Sequence, residues 1–449
     1  MTDVRSTSAD GGAASSGAAS ATYLRSLARS LGVKALSLPV TGLTTLLATR
    51  SVVDSLGVSG YALFALAITL PSLVPSDFGT LPTMVDATAR CRDGDFVPLR
   101  HAIVSTARLL TFAGLLSAVV GIVPACLGAW TWLLGHHPQP GTNAAVAVAF
   151  VLFGFTLPLN LGNTTLVALN RTHLAYGLQM AGSVLTIGLI QLAGMVHPTT
   201  AAFVAARFLG QGLAGAAGLL LAGRCVGVPL FGLVIRSVEP RHPGMYIRHL
   251  VGPTVVINLS FAVAYSTDRL VLSHSAGDEA VAAYSAGANL FTPALTLVSA
   301  AGLPLWALFA RHRDHTDRSS VTVVARLTCY FAAGGLILGA GLILMGPAVG
   351  SWLTHGQAEV TTGLMAAFAA QLTVYAASQP VSIWLTDAGG LRFQAKRAAV
   401  MAAVNLALSI PLAYLIGTPG PIIGSVIALT VIVFVPNFRM SVNHVTRTL

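Results

Sequence analysis

Charge is scarce in this sequence. Asp, Glu, Lys and Arg make up 9% of the 449 residues, against roughly 25% in a typical soluble domain. So few charges cannot hydrate the surface of a globular protein this size, whereas a bilayer lets the outer surface be apolar. Lysine is nearly missing, with Lys34 and Lys396 the pair present, so the basic residues are almost all arginine. The four cysteines (Cys91, Cys126, Cys225, Cys329) show no CxxC spacing and no histidine at metal-ligand separation. That argues against a metal centre and a disulfide framework, and leaves structural thiols. There is no GxxxxGK[ST], HExxH or GxSxG. The signatures of ATP hydrolysis, zinc proteolysis and serine-esterase chemistry are therefore missing. Neither an enzyme nor a cofactor is expected, and the outer loops are too short for a catalytic domain.

What is present is apolar. Hydrophobic residues reach 54%, with 45 glycines among them and between them, and small residues let membrane helices approach closely. Runs long enough to cross ~30 Å of hydrocarbon lie near 31–49, 60–82, 103–134, 144–169, 174–196, 199–222, 248–270, 279–308, 322–353, 359–386, 393–416 and 419–437. The fold class expected is an all-α membrane protein of about twelve transmembrane helices.

The net charge of +10 does not indicate a nucleic-acid partner, because the basic residues sit in short clusters between apolar runs and not on one solvated face. One set of loops holds Arg25, Arg29 and Lys34; Arg90, Arg92 and Arg100; Arg171; and Arg224, Arg236, Arg241 and Arg248. The set continues with Arg311, Arg313, Arg318 and Arg326, then Arg392, Lys396 and Arg397, then Arg439 and Arg447. The alternate loops, at 136–143, 197–200, 354–359 and 417–420, hold no Lys or Arg. This is the positive-inside pattern. It predicts a multi-pass protein of the cytoplasmic membrane with both termini in the cytoplasm. The Ser/Ala/Gly-rich start is expected to be disordered. It has no apolar h-region, so the first hydrophobic helix is expected to be retained.

The chain also repeats. Positions 57 and 277, 171 and 392, and 50 and 269 occupy similar contexts at offsets of 220, 221 and 219. Each repeat holds an even number of spans, so the halves share one orientation in the membrane. The organisation expected is a tail over 1–22, an N-lobe over 23–223, a linker over 224–247, a C-lobe over 248–437 and a second tail over 438–449. Two six-helix lobes around a central cavity would suit alternating access.

Charges at membrane depth are the candidate functional residues. Arg207 lies eight residues inside span six, roughly 12 Å at helical rise. It either faces an aqueous cavity or snorkels to the interface. Arg50 and Arg269 are near-equivalent positions in the two repeats, with Asp54 and Asp268 close enough in sequence to be counter-ions. Two guanidinium groups across a cleft would suit phosphate or pyrophosphate, and headgroup anchoring is the plain alternative. Asp77 could carry a cation, or could cap a helix end. Asp387, at the matching end of span ten, reads the same way, and Arg108 lies close enough to the cytoplasm to snorkel. Polar residues are dense in spans four, seven, eight and ten. Asn160, Asn163, Asn258, Tyr265, Asn289, Gln371 and Gln379 could line a path for sugar hydroxyls or hydrogen-bond between helices.

Leu56-Gly57, Tyr61 to Ala67 and Asp77-Phe78-Gly79, taken in order, resemble the opening of the polysaccharide-exporter or O-antigen flippase family. Leu169-Asn170-Arg171, Asp268-Arg269-Leu-Val-Leu, Gly277 and Val281-Ala-Ala-Tyr284-Ser285 fit the same pattern. That family belongs to the multidrug, oligosaccharidyl-lipid and polysaccharide exporter superfamily, whose fold is two six-helix lobes forming a V. The resemblance runs from about residue 30 to the end. It implies translocation of a polyprenyl-pyrophosphate-linked sugar, with Arg50, Arg207 and Arg269 holding the pyrophosphate. The partners it implies are a lipid-linked sugar, membrane lipids and polysaccharide-assembly enzymes. The rivals are a multidrug antiporter on the same fold and a non-transporting scaffold of an assembly complex.

Overall fold

Helices account for nearly all of the structure, as composition requires. A computed structural model describes residues 11–74, 78–91, 96–135, 140–237, 248–312, 318–386 and 388–446, with no strand among them. The N-terminal half comprises α1 (Gly11–Thr69), a 3₁₀ turn (Leu70–Leu73), α2 (Thr80–Ala89), α3 (Val97–Cys126) and α4 (Ala129–Leu133). It continues through α5 (Thr142–Leu159), α6 (Leu161–Ala168), α7 (Thr172–Val196), α8 (Thr200–Val226) and α9 (Leu230–Arg236). The C-terminal half comprises α10 (Arg248–Ser275), α11 (Gly277–His312), α12 (Arg318–Thr354), α13 (Thr362–Trp384) and α14 (Ala388–Ile416). It ends with α15 (Gly420–Ala428), a π turn (Leu429–Phe434) and α16 (Val435–Thr446).

Ten of the described helical stretches are long and apolar enough to cross a membrane. The stretch from Leu36 to Leu73 takes in most of the first two expected spans, the second of which ends at Leu73 and not at 82. The tenth expected span, α13, is not among the ten because Gln371, Tyr375, Ser378 and Gln379 dilute its apolar character. About twelve passes in two lobes fit this arrangement,, and the chain is a multi-pass membrane protein.

The first two spans are not joined by the expected loop at 50–59. The helix continues on both sides of Gly57, which alone leaves helical geometry at φ 72° and ψ −177°. A side chain would be strained there, and glycine is not. The chain reverses at this residue. Thr49 and Tyr61 both bond the Nδ2 of Asn289, at 2.9 and 3.1 Å, although a straight helix would hold positions twelve residues apart ~18 Å from one another. Gly277 (φ 79°) turns α10 into α11 in the same way, so that Tyr284 reaches back to Asp268 at 2.9 Å. The repeat expected from sequence therefore exists in the backbone, at 57 and 277.

Two boundaries differ from expectation. The helix already begins at Gly11, inside the segment expected to be disordered, where alanine is the most frequent residue and the strongest helix former,. The third span ends at Cys126, because Gly128 takes a left-handed conformation before α4.

Small residues bring the helices within each half together. Gly114 of α3 and Gly154 of α5 meet backbone to backbone, so that a Cβ added to either would stand only 2.4 Å from the other's carbonyl oxygen. Gly162 of α6 rests on Gly218 and Leu219 of α8, and Gly335 and Gly339 of α12 rest on α13. One apolar cluster runs through both halves and includes Tyr61, Phe203, Tyr284 and Phe368. Between the halves, α1 packs on α11 and on the end of α12, while the 3₁₀ turn and α2 pack on α10.

Candidate functional site

The polar groups of interest gather where the halves meet. Counted from the two turning glycines, Thr49 and Arg269 both lie eight residues before, and Thr69 and Asn289 both lie twelve residues after. The structure joins them crosswise. Asn289 Nδ2 donates to Thr49 Oγ1 at 2.9 Å, and Arg269 Nη1 donates to Thr69 Oγ1 at 2.7 Å. These are one contact made twice, related by the internal repeat. Asn289 also holds Tyr61, so it pins both limbs of α1. Further along the seam, Ser72 Oγ and Ser266 Oγ stand 3.0 Å apart.

Arg269 is half-buried and surrounded by neutral groups. Its Nε donates to Ser285 Oγ at 3.0 Å, and its Cζ lies 5.6 Å from the centre of the Tyr284 ring. No carboxylate lies within 4.0 Å of it among the described residues. Asp268 is next in the chain but does not act as its close counter-ion, because successive side chains on a helix point about 100° apart. Asp268 turns instead into the C-terminal half, where it is 1% exposed.

There Asp268 accepts from Tyr284 Oη at 2.9 Å and meets Ser409 Oγ at 3.5 Å. Asn405 supports this arrangement, accepting from Ser425 at 2.9 Å and Ser409 at 3.4 Å and donating to the Ala264 carbonyl at 2.8 Å. Helices α10, α11, α14 and α15 thus converge on one buried carboxylate.

At the Gly57 end, Arg50 points away from Thr49's partner and towards α12. Its Nη1 donates to the Trp352 carbonyl at 2.9 Å, and its Cζ sits 4.4 Å from the centre of the Trp352 ring. Asp54 is 4.0 Å from Arg50 Nε and is also bonded by His355 Nε2. His355 adopts φ 51°, and Gly356 follows at φ 73°. This left-handed ending of α12 carries the imidazole to α1. Arg50 and Arg269 are therefore not structural equivalents, because the repeat pairs Arg269 with Thr49, one residue earlier.

Arg207 lies on α8 and is bonded by the Gln211 side-chain oxygen at 2.7 and 3.1 Å once that amide is oriented to accept. Asn163 packs against Gly218 in the α6–α8 contact. Asn160 stands at the join of α5 and α6, and Asn258 is half-buried on α10. Gln371 is buried in α13, Tyr265 lies beside the Met401–Val433 cluster, and Gln379 faces Gly302. Asp77 and Asp387 fall outside the described residues. Arg108, given no role from sequence, bonds the Ser237 carbonyl at the end of α9.

Sequence reasoning missed Thr49, Thr69, Asn405, Ser409, Ser425 and His355. Asn405 and Ser409 carried a readable signal: an amide and a hydroxyl at i and i+4 of an otherwise apolar span share one face. The threonines carried none, since a membrane threonine ordinarily bonds its own helix.

No protein-family profile matches the sequence, and no curated protein matches it. Solved structures do match. An inward-facing multidrug resistance MATE family transporter of the MOP superfamily is 18% identical, with 90% of this chain and 95% of that one covered and a TM-score of 0.68. Lipid II flippase MurJ in an inward closed conformation is 12% identical, covers 92% and 87%, and gives 0.69. An outward-facing MATE transporter is 14% identical over 93% of each chain, with a TM-score of 0.56. All three are transporters and none is an enzyme. The chain has the fold of the MOP-superfamily transporters.

Proposed function

We propose that this protein is an alternating-access flippase of the cytoplasmic membrane, with both termini in the cytoplasm, moving a polyprenyl-pyrophosphate-linked oligosaccharide or polysaccharide precursor between leaflets. The observation that carries the reading is Arg269, a guanidinium at the interlobe seam whose hydrogen-bond partners are hydroxyls and which makes no ion-pair contact with a carboxylate among the described residues. Such a group recognises a doubly charged phosphate head, since the planar fork matches its oxygens. Arg207 and Arg50 would extend the cationic path, and Gln379 of α13 would meet sugar hydroxyls. The lipid tail would trail between the lobes. Asp268 would couple the cycle to a cation, since its oxygens and those of Asn405, Ser409 and Ser425 converge in one place. The name of the MurJ neighbour supports a lipid-linked substrate.

The test is mass spectrometry of polyprenyl-linked intermediates in cells depleted of this protein, then rescued with wild type or Arg269→Ala. Accumulation of one lipid-linked oligosaccharide, relieved only by wild type, is the expected result. An unchanged lipid pool with altered efflux of cationic drugs would replace this reading with multidrug antiport. Full rescue by variants at Arg269 and Asp268 alike would indicate a scaffold.

A further inference from the structure

We propose that an anionic head group opens the seam by taking Arg269 away from Thr69, while the symmetry-related contact at Asn289 stays closed. The inference rests on the flippase reading and adds a trigger to it. Its basis is the unequal chemistry of two contacts that the repeat makes geometrically equivalent.

Consider what each contact leaves behind when it breaks. Thr69 Oγ1 donates to the Ala65 carbonyl at 2.7 Å, so it serves Arg269 purely as an acceptor. Withdrawing the guanidinium orphans no donor on the α1 side. Arg269 keeps its Nε bond to Ser285, and its Nη2 has no hydrogen bond among the described residues. The Nη1–Nη2 edge is therefore available to a phosphate that displaces a single hydroxyl, exchanging one neutral acceptor for a charge-assisted, two-point contact. The other contact behaves differently. Asn289 gives one amide group to both Thr49 and Tyr61. Opening it would leave that amide unpaired with nothing anionic to gain, and an unmade bond in a buried seam is costly. A ligand shifts an equilibrium only by its differential affinity for the two states. Here the differential comes from Thr69, which competes with the anion only while the seam is closed.

The seam carries its own reporter. Ser72 on the 3₁₀ turn and Ser266 on α10 touch across it, so a Ser72→Cys/Ser266→Cys pair in the full chain, with the four native cysteines changed to serine, measures closure by its rate of disulfide formation. Inorganic pyrophosphate and a short prenyl pyrophosphate serve as probes in lipid nanodiscs. The expected result is slowing by about fivefold or more, the low end of the usual coupling between linked equilibria. Slowing by both probes assigns the effect to the head group, and slowing by the prenyl form alone assigns it to the lipid-linked molecule. In a Thr69→Val background the pair should already react slowly and respond little to either probe. Thr49→Val should change the starting rate and leave the response intact. Pyrophosphate that binds by calorimetry without changing the rate would overturn the trigger and leave the flippase reading standing. Absence of binding by either probe would overturn both.

Discussion

Gly162 is where α6 rests directly on the backbone of α8, and one added methyl group there tests how far the fold depends on that approach. A Cβ at this position would stand 2.1 Å from the Leu219 nitrogen and 2.3 Å from the Gly218 carbonyl carbon. Ordinary contact begins near 3.4 Å, and neither obstacle is a side chain that could rotate aside. The helices would have to part by about 1 Å, a gap that forfeits a quarter to a half of each dispersion well along the contact. Overpacking of this kind costs about 1–3 kcal/mol, and alanine's better helix propensity returns at most about 1 kcal/mol. Gly162→Ala should therefore lose about 1–2 kcal/mol net. Gly188→Ala on α7, with nothing within 4 Å of its added Cβ, should be neutral or gain up to about 1 kcal/mol. Denaturant unfolding of both variants in mixed micelles, followed by circular dichroism, gives the comparison. If the two variants unfold together, the close backbone approach of α6 and α8 is not a source of stability.

Three further outcomes follow from the site. Asn405→Leu removes the amide's two interhelical bonds, to Ala264 and Ser425, and its bond to Ser409 within α14; at about 0.6 kcal/mol for each interhelical bond this should lower stability by about 1 kcal/mol in the same unfolding assay, and an unchanged midpoint would contradict the network. Asp268→Asn preserves shape and an oxygen for the Tyr284 hydroxyl, so the variant should fold like wild type yet fail to clear the lipid-linked intermediate; full rescue would remove Asp268 from the mechanism. A short reducible bis-thiosulfonate linking Asp54→Cys to His355→Cys, whose parent side chains touch across the halves, should lock this end in membranes and stop activity until reduced. Normal activity of the cross-linked protein would mean that this end never opens.

Much of the architecture was legible because it follows from solvation. The apolar runs and the alternating basic loops fix the number of passes, and the recurrence near 220 residues points to the two turning glycines. The register of the site was harder to read. A one-residue difference in offset, 219 against 220, paired Arg50 with Arg269 in the sequence, whereas the backbone pairs Thr49 with Arg269 and turns Arg50 about 100° round the helix to Trp352,. A sequence periodicity places a residue at a depth and does not choose its neighbour. Asp268 shows the same limit, since adjacency to Arg269 suggested an ion pair and helical geometry sent the two side chains into different halves of the contact network. Asp77 and Asp387 fall outside the described residues.

The single-residue reversal at Gly57 also bears on how the polypeptide enters the membrane. A hairpin whose tip is one glycine has almost no hydrophilic segment to translocate, so the cost of its crossing is set by the side chains nearest the tip. Arg50 and Asp54 lie just before it, four residues apart on one helix face, and on the proposed topology would cross together as partly compensated charges where a lone arginine would be costly. Gly277 gives the second half a hairpin tip of the same kind. Each half thus opens on a helical hairpin, and on the proposed topology a polar insert that lengthens the tip should slow membrane insertion before it has any effect on the finished protein.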